Sequence, residues 1–290
     1  MRITVFGSSG LLGSSLVPHL RGCGHDVRGI SRKQCGGGLL DLKNADQVGE
    51  VLDATNPDVV INLAALANVD ECERNPQLAY LANVRIVENL ASWIGKRAHG
   101  CHLVQISTDQ VYDGPGPHSE GDITLSNYYG FSKFAGELAS AGVSSTVVRT
   151  NFFGPSQCAG RTSLSDWLWQ SLNEERPISV FDDILFSPLS LRRLVELLEI
   201  LSARRERGVF NLGSKRGMSK ADFAFAFAEV LSLPTRNMSR SVSGKNNLVA
   251  YRPKDMRMDA TRFENIFGIQ LPTFQEEIQS MKAAYANKTR

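Results

Sequence analysis

Seven residues near the start of the chain, Gly7-Ser8-Ser9-Gly10-Leu11-Leu12-Gly13, restrict what it can fold into more than any other stretch. They follow a β-rich run, Arg2 to Phe6, and lead into helical spacing from Leu11 to Leu20, despite Pro18 near its end. Glycines at a strand-to-helix turn let the backbone bend tightly and approach a pyrophosphate. The first N–H groups of the helix, and its dipole, then favour an anion. The turn therefore predicts a dinucleotide site built from Gly7, Ser9, Gly10, Leu11, Leu12 and Gly13.

The segments that follow keep the same rhythm. Strand patterns at Asp26–Ile30, in "NPDVVINLAA" from Asn56, at His102–Ser107 and at Ser145–Arg149 alternate with helical patterns at Gln77–Ala98 and Tyr128–Ala139. Short strands separated by helices imply right-handed crossovers and a parallel sheet covered on both faces. The fold class predicted is α/β, a Rossmann-type doubly wound parallel sheet with a smaller C-terminal α/β substrate lobe. Residues 1–155, with returning segments from about 180–215, are assigned to the dinucleotide-binding domain. Residues from about 156–180 and 216–290 are assigned to the smaller lobe. Across this second half helices are expected at Leu191–Ser202, Lys220–Leu231 and Phe274–Ala286, strands in "PISVF" and "GVFNLG", and an irregular "RPKDMRMD".

Composition matters mainly for what it excludes. A net charge of +2 with scattered basic residues does not point to nucleic acid. The longest apolar run, Asp58–Ala67, is too short to span a bilayer, and "MRITVFGSSG" has no signal-like segment. Five cysteines without a CxxC pair suggest free thiols in a reducing, cytoplasmic setting, and the histidines show no metal-ligand spacing. Cys101-His102 reads as strand packing. A membrane-surface role for the Leu191–Ser202 helix, flanked by arginine pairs, is the weaker alternative to an ordinary amphipathic helix.

The end of the second strand bears on cofactor choice. An acidic residue there would hold a ribose 2′-hydroxyl, whereas Ser31-Arg32-Lys33 suits a 2′-phosphate. NADP(H) is the expected cofactor, with NAD(H) the alternative, and Asp41-Leu42 is placed to contact the adenine.

The chemistry is expected at "NYYGFSK". Residues four apart share a helix face, so Tyr129, not Tyr128, is stacked beside Lys133. The ammonium favours the phenolate and equips Tyr129 to donate a proton at neutral pH. Thr108, at the end of the strand before "TDQVYDG", can hydrogen-bond the same carbonyl oxygen. Packing alone would account for each residue singly, but not for the set beside a dinucleotide turn.

"GSSGLLG", "PDVVINLAALANVDECERNP", "ISTDQVYDG", "NYYGFSKFAGE", "VVRTNFFGP", "GVFNLG" and "RPKDMRMDATRFENIFGIQLP" together resemble the extended short-chain dehydrogenase/reductases, and within them the dTDP-4-dehydrorhamnose reductase family. The resemblance implies Tyr129 as acid, Lys133 as its modifier and a ribose ligand, and Thr108 as carbonyl orienter. Asn62, Leu63, Ala64 and Ala65 would line the cofactor channel, and Asn83 would support the proton path. Arg252 would face a nucleotide diphosphate, a role suited to a planar cation.

Asp109, Val111, Asn151, Phe152 and Phe153 complete the implied substrate contacts. The family's tryptophan-containing segment is replaced here by Asn151-Phe152-Phe153. Ile184–Leu189 replaces another polar segment, so Phe152, Phe153 and Phe186 are either ring-stacking or core residues. The implied activity is NADPH-dependent reduction of the 4-keto group of a nucleotide-linked 4-keto-6-deoxy sugar, in a chain that could form a homodimer. The rivals are epimerase or dehydratase chemistry on the same scaffold, and a non-catalytic NADP-binding regulatory subunit.

Overall fold

A computed structural model describes residues 1–31, 40–96, 100–245 and 248–286. A six-stranded sheet runs in the order Gly208–Leu212, β5 (Ser145–Thr150), β4 (His102–Ile106), β3 (Val59–Asn62), β1 (Arg2–Phe6), β2 (Asp26–Ile30). Strands β1 to β5 pair in parallel. Every residue of β3, β4 and β5 is buried, as expected for strands covered on both faces. The chain leaves β1 for β2 on one side and returns to β3 on the other. The reversal of strand order therefore falls between β1 and β3, where open α/β sheets bind their ligands.

The chain divides into two compact units. The first is Met1–Thr108, Asn127–Arg149 and Val195–Val209; the second is Asp109–Ser126, Thr150–Leu194 and Phe210–Arg290. These limits differ from those drawn on the sequence. Asp109–Ser126, expected in the dinucleotide domain, goes with the second unit because its polar groups are satisfied there. The Tyr112 hydroxyl donates to Asn211 Oδ1 at 2.7 Å, and Asn211 Nδ2 donates to the His118 and Asp259 carbonyls. The His118 N–H donates to the Arg257 carbonyl.

In the first unit, α1 (Gly13–Gly22) follows the glycine turn, and α2 (Ala45–Thr55) is capped by Asn44, which accepts from the Asp46 and Gln47 N–H groups. Phe6, Val60, Leu90, Ile94 and Leu103 belong to the core beneath them. The single helix predicted over Gln77–Ala98 proves to be three pieces. After α3 (Val69–Arg74) come α4 (Pro76–Tyr80), a π-helical turn at Leu81–Arg85, and α5 (Ile86–Gly95). A π turn inserts one extra residue into the helical ladder, often at a functional position. Here it carries Asn83 toward α6 (Tyr128–Ser140), where Gly136 lets the two backbones meet.

The second unit has its own aromatic core, with Phe153, Phe186, Phe223, Phe227, Phe274 and Tyr285 all at 2% exposure or less. Three short strand pairs surround it: Phe152–Phe153 with Leu189–Ser190, Ile178–Phe181 with Met238–Ser241, and Leu185–Phe186 with Met218–Ser219. Phe153 packs edge-on against Phe223 at 5.0 Å.

A methyl group at residue 136 would sit 2.4 Å from the Asn83 carbonyl oxygen, a backbone atom with little room to yield. Gly136→Ala is expected to destabilise the protein by about 1–3 kcal/mol in urea unfolding. Unchanged stability would show that α6 and the π turn are not locked together.

Candidate active site

The glycine turn and the end of β3 meet at the sheet's switch point. Gly7 has φ +83°, and a side chain there would come within 2.9 Å of the Ala64 nitrogen and 3.0 Å of the Leu63 carbonyl carbon. The turn is held shut from the Gly7 and Ser8 N–H groups to the Ile30 carbonyl and from the Gly10 N–H to the Gly7 carbonyl. Among the described residues, the Leu11 and Leu12 N–H groups donate to nothing in the protein. Two open donors at the start of a ten-residue helix, beside a glycine that allows close approach, fit a dinucleotide pyrophosphate.

Asn62 holds the other wall. Its Nδ2 donates to Gln105 Oε1 at 2.8 Å and its Oδ1 accepts from the Ala64 N–H at 3.1 Å, fixing the direction of Leu63, Ala64 and Ala65. Ser31 directly follows β2, but Arg32 and Lys33 lie outside the described residues. Asp41 is exposed and ion-paired to Lys43 at 3.4 Å, while the Leu42 carbonyl accepts from Asn89 Nδ2.

Asn83 is held on three sides. Both of its amide donors are used, one to the Leu66 carbonyl (3.1 Å) and one to Ser132 Oγ (2.9 Å), and its Oδ1 accepts from the Leu66 N–H (2.8 Å). Ser132 Oγ in turn donates to the Tyr129 carbonyl. Asn83 is thus a clamp between the loop after β3 and the helix bearing Tyr129, and its position on a π turn gives it that reach.

Helix α6 starts at a firm cap, with Asn127 Oδ1 accepting from the Gly130 N–H at 2.8 Å. Its buried face carries Tyr129, Lys133, Glu137 and Ser140 at helical spacing. Tyr129 is 8% exposed and packs with Cys72, Ala79, Leu66 and Val69. Lys133 is 4% exposed, and its Nζ donates to the Ile106 carbonyl at the end of β4, 2.6 Å away.

One turn later, Glu137 receives Arg149 Nη2 at 2.6 Å and Nε at 3.0 Å, and Ser107 Oγ also donates to it. Thr108, 5% exposed, directly follows Ser107. The Ser107–Glu137–Arg149 network escaped sequence reasoning, although "KFAGE" carries its signal: Glu137 is four residues beyond Lys133.

The electrostatics follow from burial. Desolvation draws the Lys133 amine down to about 8, with Glu137 and Cys72 opposing the shift. Desolvation pushes the Cys72 thiol up to about 11, so it stays protonated at neutral pH. His102, with Ser144 and Thr146 at its two ring nitrogens, is pushed down to about 4 by burial, Arg205 and Arg207; it is a neutral packing residue.

In the second unit, Asn151 Nδ2 donates to Asp109 Oδ2 at 2.7 Å, joining two of the residues expected against substrate. Phe152 and Arg252 are partly buried. Val111 is fully buried; so are Phe153 and Phe186, whose rings are core rather than ring-stacking surfaces. The reason is local: Phe153 and Phe186 fill the aromatic cluster with Phe223 and Phe274. Among the described residues no group of three or more His, Cys, Asp or Glu side chains is arranged to hold a metal ion, and no helix is long and apolar enough to cross a membrane.

A family model described as the RmlD substrate binding domain matches residues 1–287. The chain is 30% identical to the probable low-salt glycan biosynthesis reductase Agl14 of Haloferax volcanii, covering 98% of each chain. It is 28% identical to the dTDP-4-dehydrorhamnose reductase of Aggregatibacter actinomycetemcomitans, over 97% of this chain and 98% of the relative. The crystal structure of dTDP-4-dehydrorhamnose reductase from Bacillus anthracis in complex with NADP superposes with a TM-score of 0.87 at 26% identity, covering 97% of this chain and 98% of that one.

The lowered Lys133 value has a consequence for stability. Between pH of about 8 and its ordinary value of 10.5, the unfolded chain keeps a proton on this amine that the folded chain has released. The Lys133 contribution to unfolding free energy therefore rises with pH across that window. Urea unfolding from pH 7 to 10.5 is expected to show this rise in the wild type relative to Lys133→Met. Parallel pH profiles for the two proteins would contradict a desolvated amine.

Proposed function

Because the chain belongs to the family of the RmlD substrate binding domain, we propose that it reduces the 4-keto group of a nucleotide-linked 4-keto-6-deoxy sugar, as a dTDP-4-dehydrorhamnose reductase does. The observation that carries this reading is the buried face of α6, where Lys133 is anchored to the end of β4 one helical turn from Tyr129. NADPH supplies the hydride when bound.

The chain's own residues do the rest. The Leu11 and Leu12 N–H groups and the Gly7 turn receive the dinucleotide, with Leu63, Ala64 and Ala65 along its wall. Thr108 holds the keto oxygen and Tyr129 protonates it. The Lys133 ammonium stabilises the charge left on the phenol, and the low-dielectric surroundings strengthen that interaction. Asp109, Asn151 and Arg252 are assigned to the sugar nucleotide. The choice of NADPH draws on Ser31-Arg32-Lys33 and on the NADP complex of the Bacillus anthracis protein.

Redox-neutral isomerisation is less well supported. It needs a base with an open proton seat, and the two acidic groups acting on Lys133 do not offer one. Glu137 is held by Arg149 and Ser107, and Cys72 remains a thiol.

A second copy of this chain is the proposed partner for α6. Tyr128, Phe131 and Leu138 are 46%, 54% and 60% exposed on this helix, an unusual run of large apolar side chains. Light scattering is expected to return the mass of two chains, and Phe131→Glu to return one. A monomeric wild type would remove this pairing.

For the chemistry, Tyr129→Phe is expected to retain NADPH binding, followed by cofactor fluorescence, while turnover of the keto-sugar nucleotide drops roughly 10²–10⁴-fold. Undiminished turnover would remove Tyr129 as the proton donor.

A further inference from the structure

We propose that Lys220 is a substrate-binding residue, the second cation, with Arg252, that receives the diphosphate of the sugar nucleotide; this rests on the reading of the function given above. Lys220 opens the helix Lys220–Val230 and is fixed by its own backbone, whose N–H donates to the Ile184 carbonyl at 2.9 Å. Just before it, Met218 and Ser219 pair antiparallel with Phe186 and Leu185. Leu185 is stitched to the segment that follows Arg252, accepting from the Met256 N–H and donating to the Lys254 carbonyl. Lys220 and the Arg252 segment are therefore both tied to one short strand.

The Lys220 ammonium lies 5.9 Å from the centroid of the Phe186 ring. Its neighbours in this unit show how a cation is normally settled here. Lys254 Nζ meets Asp183 at 2.6 Å, Arg257 meets Asp255 at 2.6 Å, and Arg240 meets both Asp182 and Asp222. Among the described residues, no oxygen accepts from Lys220 Nζ.

Desolvation draws its pKa down; of the charges that act on it, Asp109 attracts it and Arg252 repels it. Asp109 is already engaged by Asn151. Keeping a desolvated ammonium without an acceptor costs stability. An incoming dianion would supply the missing acceptor, and charge-assisted hydrogen bonds to phosphate are of the stronger kind.

The test uses the full chain, dTDP and dTMP as probes, and the variants Lys220→Met and Lys220→Arg. Losing a hydrogen bond between charged groups corresponds to about 10–100-fold in affinity. Lys220→Met is expected to weaken dTDP binding in calorimetry by that factor and to collapse the preference for dTDP over dTMP. NADPH affinity is expected to stay unchanged. The KM for the keto-sugar nucleotide should rise with little change in kcat, and Lys220→Arg should restore dTDP binding to within a few-fold.

Removing a partly buried charge that has no oxygen acceptor should also leave the ligand-free variant about as heat-stable as the wild type, which separates the binding effect from misfolding. A folded Lys220→Met protein that binds dTDP as tightly as the wild type would overturn the inference alone. A wild type that binds none of dTDP, UDP, GDP and CDP would overturn the nucleotide-sugar reading, and this inference with it.

Discussion

The site depends on a lysine ammonium placed almost out of reach of water. Lys133 has the Ile106 carbonyl at 2.6 Å as its fixed acceptor, and burial lowers its pKa toward neutrality. An amine in that position is costly unless the surrounding backbone is rigid, so the rest of the first unit can be read as its support. Glu137, one turn on, locks α6 to Arg149 on β5 and to Ser107 beside Thr108. Breaking such a buried pair from one side typically costs about 3–5 kcal/mol. Asn83 and Gly136 secure the opposite side of α6 to the π turn and the loop after β3.

Much of this was legible in the chain itself. The strands announce themselves as short β-rich runs between helical patterns, and the glycine turn between β1 and α1 marks where the dinucleotide approaches the sheet. Spacing of four singled out Tyr129 over Tyr128, and the structure agrees with that choice of face: Tyr129 is buried and Tyr128 is exposed. The π turn was not legible, because one extra residue in five does not disturb a helical pattern read over twenty. Nor was the allegiance of Asp109–Ser126, whose partners Asn211, Arg257 and Asp259 lie far along the sequence.

The aromatic residues of the second unit show the same limit. Phe152, Phe153 and Phe186 are alike in sequence, yet Phe153 and Phe186 fill a core while Phe152 stays partly open. Only packing decides between the two fates. Lys220 is the converse case. "GMSKADF" carries no motif, and nothing marks this lysine until its neighbours are seen to be paired and it is not. A half-buried ammonium beside a ring, with no oxygen to accept from it, is a signal that exists only in three dimensions.

On the proposed reading each unit keeps a cation out of full contact with water, Lys133 for the chemistry and Lys220 for the anionic end of the substrate. The central claim is that the first of these serves reduction of a carbonyl. Incubating the protein with NADPH deuterated at the transferable position of nicotinamide C4 and a dTDP-4-keto-6-deoxyhexose tests it directly. One deuterium at sugar C4 is expected for each NADPH consumed. A sugar returned without deuterium, and with the cofactor unspent, would contradict it.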